Sequence, residues 1–593
     1  MCGIAGEIRA GNGQPDVSAL QRAAQAMAPR GPDGAGVWSS GPVALAHRRL
    51  KIIDLSDNAA QPMTDPQLGL AGVFNGCIYN YQELRRELTE RGYRFFSTGD
   101  TEVVLKAFHA WGRDCVNRFY GMFAFAIFDR ETRRLTLGRD RFGIKPLYTV
   151  SGPGFFRFAS TLPALLAAGD VDTAIDPVGL NFYMNFHAVV PAPWTILRGV
   201  RKIPPATLVE IEADGTRRDT RYWTVDYGTP PEMAGLSETD WQDQLLDVLR
   251  RAVRRRLVAD VPVGVLLSGG LDSSLIVGLL AEQGQTGLNT FSVGFETVGG
   301  EVGDEFQYSD IIADHYATQH HKIHVDSRSL LLPNLEDCVR AMAEPMVSHD
   351  AIGFFLLSRE VARHLKVVQS GQGADEIFAG YHWYPPMMDS LDDGAADYAA
   401  VFRDRDHAEY VRAIDPALLD EDYARTYITG HFSEPGAQTA IDRALRIDQH
   451  VMLVDDPVKR VDNMTMAWSL EARVPFLDHE VVELAARIPA PLKLADGGKG
   501  ILKAAGRRII PNDVVDRPKG YFPVPALKHL EGDVLDFVRG VLNNDRARSR
   551  GVFNADYVGL LLQNPNDHMT PLRGSKLWQV ALLELWLQVH DIS

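Results

Sequence analysis

The chain has 593 residues, a formal net charge of −16 at pH 7, and 45% hydrophobic against 23% charged residues. Single cores rarely grow past about 300 residues, so this length predicts at least two domains. The acidic balance leaves no broad basic surface and argues against a nucleic-acid partner. Four cysteines (Cys2, Cys77, Cys115 and Cys338) and no C-x-x-C pair point to a reducing compartment rather than a disulfide framework or a zinc site. With no charged-then-apolar leader segment, a cytoplasmic protein without a membrane partner is expected.

Residues 2–165 read as an α+β unit dominated by antiparallel sheet. Leu70–Tyr79 and the aromatic run Met122–Phe128 are expected strands, and a turn at Asp129–Arg133 leads into the alternation of Leu135 and Leu137, which is hairpin chemistry. An amphipathic helix is expected from Gln82 to Arg91. Once Met1 is removed, Cys2 carries both a thiol and a free α-amino group. The amine's reference pKa of about 7.7–8.0 lies close to the thiol's 8.5 or so, and the amine can therefore act as the nucleophile's own base. Arg30-Gly31-Pro32-Asp33-Gly34, His47-Arg48-Arg49-Leu50, Phe74-Asn75-Gly76, Gly99-Asp100 and the run Asp140–Tyr148 follow.

Residues 166–235 read as a connector, with prolines at Pro191, Pro193, Pro204 and Pro205 and short strands around Leu208–Ile211 and Arg221–Thr224. Residues 236–593 form the second expected domain. It opens on an amphipathic helix at Glu238–Leu257, whose basic run Arg250–Arg256 is a solvated face opposite Trp241, Leu245 and Leu249. Apolar strands at Val263–Leu267, Thr290–Phe295, Lys322–Val325 and Val367–Ser370 alternate with helical patterns. That alternation predicts a parallel α/β sheet with ligands at the C-terminal strand ends.

Two of those ends are rich in glycine. Ser268-Gly269-Gly270-Leu271-Asp272-Ser273-Ser274 leaves a buried strand and enters a helix, which makes a phosphate cradle from backbone N–H groups, hydroxyls and a helix N-terminus. Ser370-Gly371-Gln372-Gly373-Ala374-Asp375-Glu376 is the second. Asp272 and Asp375 at adjacent strand ends suit a metal on phosphates. Ser469–Asp478 and Arg517-Pro518-Lys519-Gly520-Tyr521-Phe522 come later. Leu577–Val589 is shorter than the roughly 20 residues a bilayer span needs and reads as a buried C-terminal helix.

The N-terminal set resembles the class II glutamine amidotransferases over residues 2 to about 165, and Ser268–Ser274 resembles the pyrophosphate loop of ATP pyrophosphatases. Joined in this order with the two later motifs, they make the chain similar to the asparagine synthetase family from Cys2 to about Phe522. The resemblance implies a glutamine-hydrolysing, ATP-dependent carbon–nitrogen ligase that works through an acyl-adenylate. Cys2 would be the nucleophile, and Asn75 and the backbone N–H of Gly76 the oxyanion hole. Arg49 and Asp100 would hold the carboxylate and amino group of glutamine, with the backbone at Cys77 beside them. Leu267, Val293, Ser370 and Gly371 would contact AMP, and Ser268, Gly269, Gly270 and Ser273 the phosphates. Asp272 and Asp375 would bind Mg²⁺, and Lys519 would steady the phosphates during adenylation. The resemblance leaves a homodimer open.

Two positions depart from the usual pattern. Asn75-Gly76-Cys77 stands where the family has Asn-Gly-Glu, and Gln372 stands where asparagine synthetases carry a glutamate. A glutamine can orient a nucleophile but cannot accept its proton. With the continuation His382-Trp383-Tyr384-Pro385, these features look like the N-acetylglutaminylglutamine amide synthetase branch. Members of that branch amidate the C-terminal carboxylate of a blocked dipeptide to make a compatible solute. Aspartate is the alternative acceptor.

Overall fold

The computed structural model describes residues 2–295 apart from 12, then 304–325, 330–390, 392–517 and 524–593, without the side chains of 525 and 526. Its N-terminal part contains β1 (Gly3–Arg9), β2 (Gly34–Ser40), β3 (Val43–Arg49), β4 (Met63–Asp65), β5 (Leu70–Ile78), β6 (Gly121–Asp129), β7 (Arg134–Arg139), β8 (Tyr148–Gly152), β9 (Phe155–Ala159), β10 (Arg201–Lys202), β11 (Thr207–Ile211) and β12 (Arg217–Arg221). They form two six-stranded sheets, in the orders β10-β8-β9-β1-β3-β2 and β12-β11-β7-β6-β5-β4. The pairings within both are antiparallel, as the hairpin patterns predict.

The sheets face each other across a core in which Ile4, Ile8 and Leu45 of the first meet Val73, Phe128 and Leu137 of the second. Alternation supplies the reason, since each strand must bury one face against the partner sheet and the other against a helix. The outer face of the first sheet is covered by the helices Val17–Ala26 and Leu162–Ala168. The second is covered by Tyr81–Glu90 and Asp100–Trp111. β10 pairs with β8 and β11 with β7, so segments expected in the connector complete both sheets. The strand expected at Arg221–Thr224 runs instead over Arg217–Arg221. It is a sheet edge made almost wholly of exposed polar residues, and such an edge carries no apolar pattern.

The second sheet system is five-stranded and parallel: β13 (Val263–Leu266), β14 (Asn289–Phe295), β15 (Gln319–Val325), β16 (Val367–Gln369) and β17 (Glu471–Arg473), in the order β15-β14-β13-β16-β17. From β13 the chain builds outward through β14 and β15, then returns to place β16 on the other flank of β13. The strand order therefore reverses between β13 and β16, and a crevice opens at their C-terminal ends. β17 is three residues long and two of them are charged, so no buried-strand pattern announces it. The C-terminal helix Lys576–Val589 is buried on nearly all sides. Among the described residues no helix is long and apolar enough to cross a membrane.

Candidate active sites

The first site lies where β1, β3 and β5 meet. Cys2 precedes β1, and its backbone N–H donates to Asn75 Oδ1 of β5 at 2.9 Å. That bond fixes the Asn75 amide with its nitrogen turned the other way. Nδ2 of Asn75 is buried and, among the described residues, has no hydrogen-bond partner. A buried donor left open next to a cysteine is suited to an oxyanion. Burial raises the Cys2 thiol above its usual value, so a base is needed to form the thiolate. His47 does not serve, because burial depresses its pKa to about 3 and its Nε2 lies 3.3 Å from the Phe74 carbonyl.

Arg49 ends β3, and its guanidinium donates to the carbonyls of Ser56, at 2.7 Å, and Asp54. Asp100 opens the helix Asp100–Trp111 and accepts the Ile78 N–H at 3.1 Å. Burial raises its carboxyl to about 6. Cys2, Arg49, Gly76, Cys77 and Asp100 line one small pocket. Cys77 is buried, and burial raises its thiol strongly, as suits a packing residue.

Two residues of the parallel sheet also wall this pocket. Glu471 and Arg473 of β17 reach it from the far side, and Arg473 Nε donates to Glu471 Oε1 at 2.6 Å. Burial would raise the Glu471 carboxyl, yet the positive charge around it, Arg473 and Lys145 included, lowers it. Both residues stand inside a motif that the sequence reading singles out, but nothing local in that motif tells which way they face.

The second site is a cleft of about 290 Å³ at the switch point. Leu267, Ser268, Gly270, Asp272 and Ser273 line it from the β13 exit, Val293 from β14, and Ser370, Gly371, Gln372 and Asp375 from the β16 exit. Gly269 sits within the first loop at φ +73°. Ser268 N–H donates to Ser273 Oγ at 3.2 Å and Gly270 N–H to Ser268 Oγ at 3.3 Å, which closes the loop into a turn. The helix Leu271–Glu282 starts there with no side-chain cap, leaving its first N–H groups aimed at the cleft.

Two cations that were given no role from sequence complete this cleft. Lys499 Nζ lies 2.7 Å from Asp272 Oδ2 and 3.0 Å from Asp375 Oδ1. Burial would lower its ammonium, but the two carboxylates raise it above the usual lysine value. Arg517 pairs with Glu305 at 3.0 Å and packs over the Tyr308 ring at 4.6 Å. Its Nη1 is buried without a partner among the described residues. Lys519 falls outside the described residues. The sequence signals were a glycine-lysine run, Gly497-Gly498-Lys499-Gly500, and the basic residue that opens Arg517-Pro518-Lys519.

Comparison with known proteins follows this two-site layout. Residues 244–588 match the family model for asparagine synthase, and residues 1–223 match that for the glutamine amidotransferase domain. Asparagine synthetase [glutamine-hydrolyzing] 1 of Bacillus subtilis is 31% identical over 96% of this chain and 93% of its own length. A putative asparagine synthetase [glutamine-hydrolyzing] of Mycobacterium tuberculosis is 33% identical over 99% of this chain and 97% of its own. Asparagine synthetase B of Escherichia coli is 28% identical over 84% of this chain and 77% of its own. The chain belongs to the asparagine synthase family and carries a glutamine amidotransferase domain ahead of its synthase region.

Proposed function

We propose that this enzyme is a glutamine-hydrolysing, ATP-dependent amide synthetase whose acceptor is the C-terminal carboxylate of a blocked dipeptide, N-acetylglutaminylglutamine. The observation that carries the acceptor assignment is Gln372, a neutral amide in the cleft beside Asp375. An acceptor without a free amino group presents amides and a single carboxylate, and Gln372 can hydrogen-bond them without an unpaired charge. The names of the relatives support a second reading, in which aspartate is the acceptor.

On this reading residues 2–165 are the glutaminase unit, 166–235 a connector and 236–593 the synthetase unit. Cys2 Sγ attacks the glutamine side-chain carbonyl carbon, and the free α-amine of the processed chain takes the thiol proton and returns it to the departing ammonia. Asn75 Nδ2 and the Gly76 N–H hold the oxyanion, and water clears the thioester to glutamate. Arg49 and Asp100 hold the two ends of the amino acid. In the cleft an acceptor carboxylate oxygen attacks the α-phosphorus of ATP, and pyrophosphate leaves past Ser268, Gly270, Ser273 and Arg517. Ammonia then attacks the acyl carbon and AMP departs.

Asp272 and Asp375 fit Mg²⁺: they are two hard oxygen donors from adjacent strand ends, and a cation already sits between them. Bound there, the metal would neutralise phosphate charge as the leaving group forms. The test is pyrophosphate release with the dipeptide and with aspartate, in wild type and Gln372→Glu, together with Cys2→Ala. Wild type should favour the dipeptide, and Gln372→Glu should lower kcat/KM for it by about tenfold or more. Cys2→Ala should lose glutamine use and keep activity with added ammonia. Efficient wild-type amidation of aspartate with none of the dipeptide would establish the second reading.

A further inference from the structure

Lys499 sits where a metal would be expected, and the backbone around it is built to keep it there. Asp496, Gly497, Gly498 and Lys499 have φ values of +54°, +73°, +107° and +58°. Four consecutive left-handed residues, two of them not glycine, form a costly conformation that only the surrounding contacts can maintain. Those contacts are specific. The Lys499 N–H donates to the Phe378 carbonyl at 3.1 Å, which ties the turn to the segment just after Asp375. A Cβ on Gly498 would come within 2.5 Å of the Ala379 carbonyl oxygen, and one on Gly380 within 2.1 Å of Asp375 Oδ1 and 2.4 Å of Lys499 Cε. Both glycines are thus needed for the lysine and the carboxylates to approach. Lys499 itself is only 8% exposed.

We infer that Lys499 is a positioning residue that acts as a resident cation, clamping Asp272 and Asp375 together until nucleotide arrives, so that the divalent metal enters with ATP and not before it. This rests on the reading of the two aspartates as metal ligands. The argument is one of charge. A bare divalent ion has to displace an ammonium already hydrogen-bonded to both carboxylates, in a buried site where such contacts are strong. A metal arriving on ATP brings phosphate oxygens that can take over the ammonium, so neither cation is left without an anion. The clamp also holds the two strand-end loops in register while the cleft is empty, since Asp272 and Asp375 come from different strand exits.

The test is Mn²⁺ binding to the full chain, read from the electron paramagnetic resonance of free Mn²⁺, with and without a non-hydrolysable ATP analogue. Wild type should bind Mn²⁺ at least about tenfold more weakly without the analogue than with it. Lys499→Met should close that gap by tightening nucleotide-free binding, whereas Lys499→Arg, which keeps the charge, should preserve it. Adding Asp272→Asn or Asp375→Asn to Lys499→Met should abolish the gained binding. Wild type binding Mn²⁺ as tightly alone as with the analogue would overturn the clamp, whatever the variants do. So would a folded Lys499→Met with unchanged nucleotide-free affinity, provided Asp272→Asn still weakens Mn²⁺ binding in the presence of the analogue. If neither asparagine variant changes that binding, the ligand assignment itself falls.

Discussion

Asp100 shows how a single burial decision sets chemistry. Its carboxylate opens a helix and accepts one backbone N–H, both of which favour the charged form, yet burial wins and raises it to about 6. Its proposed partner, the ammonium of glutamine, needs the anion. Protonation below about pH 6 therefore removes the contact, and kcat/KM for glutamine, already falling as the Cys2 α-amine protonates, should fall with a second, steeper limb as pH drops through that value. Ammonia-driven synthesis does not use Asp100 and should lack this acidic limb. The check is a pair of pH profiles, one for each nitrogen source. An acidic limb of the same midpoint in both would place the titrating group elsewhere.

β16 and β17 join the two sites through one short stretch of backbone. Ser370 N–H, at the edge of the proposed nucleotide cleft, donates to the Arg473 carbonyl at 2.8 Å, while the Arg473 side chain walls the proposed glutamine pocket. Arg473 Nη1 also donates to the carbonyls of Arg256 and Val258, each at 2.8 Å. A parallel-sheet edge strand thus presents its backbone to one site and its side chains to the other. Glu471→Gln keeps the shape and leaves Arg473 its carbonyl partners, removing only the charge that faces the pocket. Glutamine-dependent kcat/KM should drop about tenfold, the scale of one charge-assisted hydrogen bond, with ammonia-dependent activity within about twofold of wild type. Steady-state assays with both nitrogen sources decide it. Equal losses would mean that β17 acts through the nucleotide cleft instead.

Across the whole molecule, the two halves meet through buried charge as well as apolar surface. Arg30 and Lys145 of the N-terminal half converge on Asp462, at 2.9 and 3.5 Å. Lys202 reaches Asp455 at 2.6 Å and Glu344 at 3.0 Å. Burial would raise the Asp462 carboxyl, but the Arg30 and Lys145 cations outweigh it and its pKa is lowered. Its contribution to stability is therefore present above the ordinary aspartate range and is lost as pH falls through the depressed value. Asp462→Asn leaves two buried cations short of an anion and should cost about 3–5 kcal/mol in urea unfolding at neutral pH. The same variant should waste ammonia, raising the glutamate formed per amide product. Unchanged stability together with unchanged stoichiometry would show that this cluster is not what holds the halves in register.

Local chemistry was legible from the residues alone. Hairpin alternation at Met122–Phe128 and Leu135–Leu137 became β6 and β7, and the apolar runs at Val263 and Val367 became neighbouring parallel strands. The glycine-rich exits after them line one cleft, because neighbouring parallel strands put their C-terminal ends on the same side of the sheet. What faces those loops was not legible. Lys499 meets Asp272 across 227 positions of chain, and Glu471 and Arg473 meet Cys2 only because β17 adds to the edge of a sheet built from residues far earlier. Periodicity and turn chemistry act over a few residues and are written in order along the chain. Which buried charge finds which partner depends on how distant elements stack, and for these groups only the packed fold decides it.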